Sequence, residues 1–360
     1  MFRILLRSVA GIGAAAFLLG AATPGMAQGS AASPQERVQL ATKALQGWYD
    51  EQTGLYKTTG WWNSANAITT LTDEAKIEHS HAFDPVFANT FQMGPKKYAA
   101  FINDYYDDEG WWALAWIGAY DVTHRPEYLA MAESIFKDMS GGWSDTCGGG
   151  IWWSKERKYK NAIANELYLS VAAHLATRAK SRADRKEYLE TAEREWKWFA
   201  GSGMINSEGL VNDGLNAKCE NNHETTWSYN QGVVLGGLTE LSRKHHDAEL
   251  LFEAKKIVAA TMASPVLVKE GVLHDPCEPK CGGDGSQFKG IFVRNLRELN
   301  GRAKVPGYGE FVQRNADSIW ADAKAPEYHL GVVWATPYGD ADASSQSSAL
   351  DALVAAEALQ

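Results

Sequence analysis

The chain has 360 residues, 45% hydrophobic and 22% charged, with a formal net charge of −9. That length suits one large domain or two small ones, and the acidic balance excludes nucleic acid and anionic membrane surfaces as natural partners. Trp is abundant, at 14 residues; most large aromatics build cores, but a surplus also suits stacking on sugar rings.

Arg3 and Arg7 form a positive n-region, residues 9–22 an apolar stretch, and Gly25-Met26-Ala27 a small-residue cleavage site before Gln28. Residues 1–27 are therefore expected to be a secretory signal peptide. Residues 28–360 are read as a single domain, because no Pro-, Ser- or Gly-rich linker divides them. Losing the leader removes two arginines and takes the charge from −9 to −11. No later stretch has the apolar length of a membrane helix, and residues 350–360 carry no lipid-anchor signal. The expectation is a secreted or periplasmic monomer without a membrane anchor. Four cysteines in an oxidising compartment imply two disulfides out of three connectivities. Cys277 and Cys281 are near enough to close a small loop, which leaves Cys147 with Cys219. A zinc site is the rival reading, but the second half of its motif is missing.

Helical periodicity recurs along the chain, with no alternating β pattern of useful length. In chain order, a charged amphipathic helix is expected over 34–49 and an apolar, small-residue helix over 63–71. The same alternation repeats at 94–105 and 109–120, 126–139 and 161–175, 182–199 and 227–241, 247–262 and 288–299, and 308–321 and 345–356. Helices apolar all round are buried, whereas those with one stripe sit outside. Six inner and six outer helices describe an all-α (α/α)6 barrel, in which the loops entering the inner helices gather at one rim.

Those loops hold the candidate chemistry. Asp107 and Asp108 lie between Tyr105-Tyr106 and Trp111-Trp112. Helix capping alone would account for acids there. Flanking aromatics and mutual repulsion would instead drive the two pKa values apart, leaving one donor and one anion. Neighbouring side chains at a helix start can hold carboxyls ~5 Å apart, the retaining separation. A calcium loop fails on ligand spacing. Gly148-Gly149-Gly150 permits close backbone approach without the Gly-Lys-Ser/Thr of a phosphate loop, and Trp152 and Trp153 follow as ring platforms or as core. Tyr159, Asn161 and Asn165 stand at an inner-helix start, the two Asn one turn apart. Tyr229, Asn230 and Gln231 offer directional hydrogen bonds beside an aromatic. Trp62 and Asn63, Phe292 and Arg294, and Gln346 complete the candidate sugar-binding set, with Arg294 equally readable as an ion-pair partner. The histidines form no metal constellation, and a Gly-x-Ser-x-Gly elbow is absent.

Taken together, Asp107-Asp108 before Trp111-Trp112, Gly148–Trp153, Tyr159–Ile163, Tyr229–Gly232, Phe288–Phe292 and Gln346–Leu350 resemble glycoside hydrolase family 76. This is the endo-α-1,6-mannanase group, with fungal cell-wall relatives. The resemblance implies an (α/α)6 barrel and retaining hydrolysis of α-1,6-linked mannan or manno-oligosaccharide, without metal or organic cofactor. It casts Asp107 as nucleophile and Asp108 as general acid/base, and Asp213 is similar to a family acid that holds the bound mannose. Transglycosylation on α-1,6-mannan glycolipids or wall mannan, and a non-catalytic mannan-binding barrel, are the alternatives.

Overall fold

The computed structural model describes residues 32–360 apart from 246, 324–325 and 336–339; the expected signal peptide lies outside the described residues. Helix starts follow local rules. Pro34 occupies the first turn of α1 (Pro34–Gln46), where a missing amide costs nothing, and Ser33 Oγ accepts the Glu36 amide at 3.2 Å. Val38, Ala41 and Leu45, spaced three and four apart, bury one face of it.

After it come α2 (Trp61–Glu78), α3 (Asp84–Met93), α4 (Tyr106–Thr123), α5 (Pro126–Ser140), α6 (Ala162–Arg178) and α7 (Arg182–Gly201). The rest are α8 (Ser228–His245), α9 (Ala248–Ala263), the short α10 (Gly282–Gly285), α11 (Phe288–Arg302), α12 (Tyr308–Ser318) and α13 (Ala343–Glu357). Side-chain caps from Asn161, Ser181, Asp247 and Asp342 satisfy first-turn amides of α6, α7, α9 and α13. Two-residue strands form two small ribbons, Tyr49–Asp50 with Leu55–Tyr56 and Val268–Lys269 with Val272–Leu273.

Within Ser33–Gln360, α2, α4, α6, α8, α11 and α13 each pack on the next, and α13 closes the ring onto α2. Outside the ring, α1 lies on α13, α5 on α4, α7 on α6, α9 on α8, and α12 on α13 and α11. Phe91 of α3 meets Trp116 of α4 edge-on, with ring centroids 5.1 Å apart. This is an (α/α)6 barrel, and its inner helices are those expected from their apolar composition.

One outer helix was misplaced by periodicity. Residues 94–105 form only short 3₁₀ turns, and the helix there is α3, ten residues earlier. Asp84 and Pro85 start α3, and Pro95 lacks the amide needed to carry it onward. Ala100 and Phe101 then take positive φ, at 55° and 61°, which no helix accommodates.

Inner helices approach closely through small residues. A Cβ on Gly290 of α11 would stand 2.5 Å from the Ser348 backbone of α13. Buried ion pairs tie the same helices: Arg294 of α11 bonds Asp351 at 3.2 Å and also Asn66 of α2, while Arg297 bonds Asp73 at 2.8 Å. Among the described residues, no helix is long and apolar enough to cross a membrane. Gly290→Ala gains about 1 kcal/mol of helix propensity but forces two backbones apart, at about 1–3 kcal/mol. The clash wins, so the variant is expected to unfold at lower urea concentration with an unchanged m-value.

Candidate active site

The first turns of the inner helices meet at one mouth of the ring. There, Trp62 of α2, Asp107 and Trp111 of α4, the α6 cap Asn161, Tyr229 of α8 and Phe288 of α11 line a cleft of about 240 Å³. Trp153, Tyr159, Asp213 and Asp284 complete its wall. Asp107 and Trp111 share a face because they are four residues apart on one helix. The rings form a continuous apolar lining: Tyr229 stacks on Phe288 at 3.9 Å, Trp62 on Trp111 at 5.5 Å, and Trp111 on Tyr229 at 6.5 Å.

The acid pair is set from both sides. The Trp153 indole N–H donates to Asp107 Oδ2 at 2.9 Å, and the Asp108 amide donates to Asp107 Oδ1 at 3.1 Å. Asn103 Nδ2 donates to Asp108 Oδ2 at 2.6 Å. Burial first, then the Asp108 charge, pushes Asp107 up to about 8, against the pull of the Trp153 bond. Burial also pushes Asp108 up to about 6, with Asn103 opposing and the Asp284 carboxylate assisting. The pair therefore titrates in two separated steps and holds one proton near neutral pH.

Asp213 accepts the Tyr159 hydroxyl at 2.5 Å, and Asn222 donates to that same hydroxyl at 2.9 Å. Burial holds Asp213 above the usual carboxylate range. Tyr159 and Asp213 also line a larger neighbouring cavity of about 750 Å³, walled by Trp152, Trp227 and the Cys147–Cys219 disulfide. The second disulfide, Cys277–Cys281, braces the turn before Asp284, whose carboxylate accepts the Trp62 indole N–H at 2.8 Å. A third cavity, of about 630 Å³, opens among the C-terminal halves of the inner helices. Its cations are paired there, Arg178 with Asp121 and Glu240, and Arg297 with Asp73. Among the described residues, no cluster of His, Cys, Asp or Glu could hold a metal ion.

Several residues expected in the cleft lie elsewhere. Trp112 turns away from Trp111 by one helical step and packs between Trp61 and Phe101, each 4.7 Å away. Phe292 is fully buried, edge-on to Phe311 of α12. Arg294 is the ion-pair partner described above, its guanidinium 5.9 Å beneath Trp111. Asn230 is fully buried and does not line the cleft. Asn63 bonds the Gly60 amide at 3.1 Å and the Gln287 side chain at 2.8 Å.

Asn165, Gln231 and Gln346 share one role. Each is the fourth residue of its helix, and each accepts a backbone amide and returns its NH₂ to backbone carbonyls. The amides come from Ile151 at 2.7 Å, Val211 at 2.8 Å and Leu330 at 2.7 Å. The carbonyls include those of Ile151 at 3.0 Å, Val211 at 2.9 Å and Ala41 at 2.9 Å. With both ends of each amide committed, they fasten the loops of the rim.

Asp284 and Asn103 were not expected in the site; the sequence leaves Trp153 as either a ring platform or core, and Phe288 only as part of a resemblance motif. Trp152 lines the larger cavity and Trp153 the cleft with Asp107, and of the two it is Trp153 that bonds an acid. No sequence signal marks Asp284 or Asn103, which reach the site through a disulfide-braced turn and an irregular loop.

Residues 33–360 match the family model described as Glycosyl hydrolase family 76. Mannan endo-1,6-alpha-mannosidase DFG5 of Candida albicans is 27% identical over 66% of this chain and 57% of its own length. The Saccharomyces cerevisiae protein of the same name is 30% identical over 53% and 44%. The chain thus spans about half the length of these curated relatives. Among solved structures, an inactive variant of the α-1,6-mannanase of Salegentibacter sp. HEL1_6, with two aspartates replaced and α-1,6-mannotetrose bound, superposes with a TM-score of 0.84. It is 23% identical and covers 91% of this chain and 100% of its own. The Lin0763 protein from Listeria innocua gives 0.80 at 26% identity, covering 91% and 97%.

Two measurements test the electrostatics of the pair. Asn103→Leu removes a donor that favours the Asp108 anion, so its carboxyl ¹³C resonance should titrate about one pH unit higher. A carboxyl pushed up to about 8 destabilises the fold as pH rises through that value, because the buried group must ionise. Asp107→Asn is therefore expected to raise Tm by a few degrees, with the gap widening from pH 6 to pH 9.

Proposed function

We propose, from the premise that this chain belongs to glycosyl hydrolase family 76, that it is a secreted, monomeric, single-domain enzyme cleaving α-1,6-mannosidic bonds within mannan chains, with retention of configuration. The observation that carries the reading is the adjacent, partly buried Asp107–Asp108 pair, with Asp107 on the wall of an aromatic-lined cleft and bonded by the Trp153 indole, and Asp108 bonded by Asn103. The relatives named mannan endo-1,6-alpha-mannosidases supply the substrate class.

In this reading Asp107 attacks the anomeric carbon while Asp108 gives its proton to the departing glycosidic oxygen. The C–O bond breaks and a mannosyl ester of Asp107 forms. Asp108, now an anion, takes a proton from water, and the hydroxide oxygen displaces Asp107 to release the sugar. Burial acts harder on Asp107 than on Asp108 in the free protein, whereas attack needs Asp107 ionised. The shared proton belongs to the pair. A bound glycoside favours its transfer, since the leaving oxygen accepts from Asp108 and developing positive charge at the sugar stabilises the Asp107 anion. In this reading Asp213 and Tyr159 hold sugar hydroxyls, and Trp62, Trp111, Tyr229 and Phe288, which line the same cleft, stack on the sugar rings.

Incubation with unbranched α-1,6-mannan tests the reading. The wild type should yield short manno-oligosaccharides, and Asp107→Asn and Asp108→Asn should yield none. A folded wild type that releases nothing would overturn it, and products longer than the substrate would assign transfer to a sugar acceptor instead. The pH profile of kcat/KM should be a bell with limbs near about 6 and about 8. Below the lower limb both acids are protonated and no nucleophile remains. Above the upper limb both are ionised and no proton donor remains.

A further inference from the structure

Lys160 is only 2% exposed, an unusual place for a lysine that has no carboxylate in direct contact. Its ammonium donates to four backbone carbonyls: Ser144 at 3.0 Å, Thr146 at 2.7 Å, Gly149 at 2.5 Å and Gly150 at 2.9 Å. An ammonium has three N–H groups, so none is left for a substrate, although Lys160 lines the larger cavity. The rings of Trp152 and Trp198 lie 5.0 and 5.6 Å from Nζ. Burial lowers the lysine to about 8, opposed by Glu195 of α7 and by Asp145, and burial likewise raises Glu195 to about 8.

Two of the four carbonyls it gathers belong to glycines in conformations that other residues rarely adopt. Gly149 and Gly150 have φ of 148° and 81°, and a Cβ on Gly150 would lie 2.3 Å from the Trp198 ring. From Gly150 the chain passes through Ile151, clamped by Asn165, to Trp153. The Trp153 N–H bonds the Tyr159 carbonyl at 2.8 Å, and the Trp153 carbonyl accepts the Tyr106 amide at 2.9 Å. Its indole then donates to Asp107. Residues 150–153, most of whose backbone groups are hydrogen-bonded, thus link Gly149 to the Trp153 indole that holds Asp107.

We infer that Lys160 is a positioning residue: by gathering the carbonyls of the glycine segment it fixes the path of residues 149–153 and so holds the Trp153 indole N–H on Asp107. For the effect on catalysis the inference rests on the mannanase reading; for the effect on Asp107 it does not.

The test compares Lys160→Met and Lys160→Gln with Trp153→Phe and the Lys160→Met/Trp153→Phe double variant. It follows thermal unfolding, the ¹³C titration of the Asp107 carboxyl, and kcat and KM on α-1,6-mannan. Both Lys160 variants should fold. In Lys160→Met, Asp107 should titrate about one pH unit higher, as in Trp153→Phe, and kcat should fall about tenfold or more with little change in KM. Lys160→Gln, which keeps two donors, should recover part of both effects. The double variant should be no worse than the worse single one, since both act through one hydrogen bond. An Asp107 titration unmoved in Lys160→Met, or losses that multiply in the double variant, would overturn the inference. So would failure of both Lys160 variants to fold, which would make the lysine a general stability element. A wild type inactive on mannan would count against the mannanase reading alone, with the NMR titration still deciding the role of Lys160.

Discussion

Desolvation of two adjacent carboxyls is the constraint on which the site depends. In water Asp107 and Asp108 would both ionise well below neutral pH. Here burial pushes both upward, with the Asp108 charge adding to the push on Asp107 and the Asp284 charge to that on Asp108, so that the two separate near neutral pH. That requires a mouth lined by rings instead of water, which no single helix can provide. Closing six inner helices into a ring brings Trp62, Trp111, Tyr229 and Phe288 together from four of them. Trp153 and Asn103 then oppose the push, one on each acid, so that the separation stays within a range useful near neutral pH.

A barrel of this kind has no sheet to hold its loops, and the rim is secured by side-chain amides instead. Asn165, Gln231 and Gln346 each stand fourth in an inner helix and bond both the N–H and C=O groups of neighbouring segments. Ser64, fourth in α2, accepts the Tyr56 amide at 3.2 Å in the same manner. Buried backbone groups in irregular loops must find partners. These amides provide them without widening the loops, so that the wall carrying Asp213 and Trp153 is fixed before any ligand arrives.

Much of this was legible in the chain. Small apolar residues on every face mark a helix that is surrounded, and one apolar stripe marks a helix that is not. Those patterns located the inner helices and eleven of the twelve barrel helices, since burial is a property a helix carries in its own composition. The exception, at 94–105, shows that periodicity without attention to Pro85 and Pro95 mistakes a kinked connection for a helix. Asp107 and Asp108 were legible as well, because two acids amid aromatics before an apolar run are chemically conspicuous.

Side-chain direction around the mouth was not legible, for a physical reason. A step of one residue turns a helical side chain by about 100° and an extended one to the opposite face. Trp111 and Trp112, or Trp152 and Trp153, are equivalent until the barrel closes and decides which of each pair meets the acids. The sequence by itself determined eleven of the twelve barrel helices and an acid pair amid aromatics. Only the tertiary structure decided that Trp153, Asn103 and Asp284 attend the acids while Asn165, Gln231 and Gln346 hold the rim, because most of those contacts join segments from 14 to 305 residues apart and Asn103, five residues from Asp108, reaches it through an irregular loop.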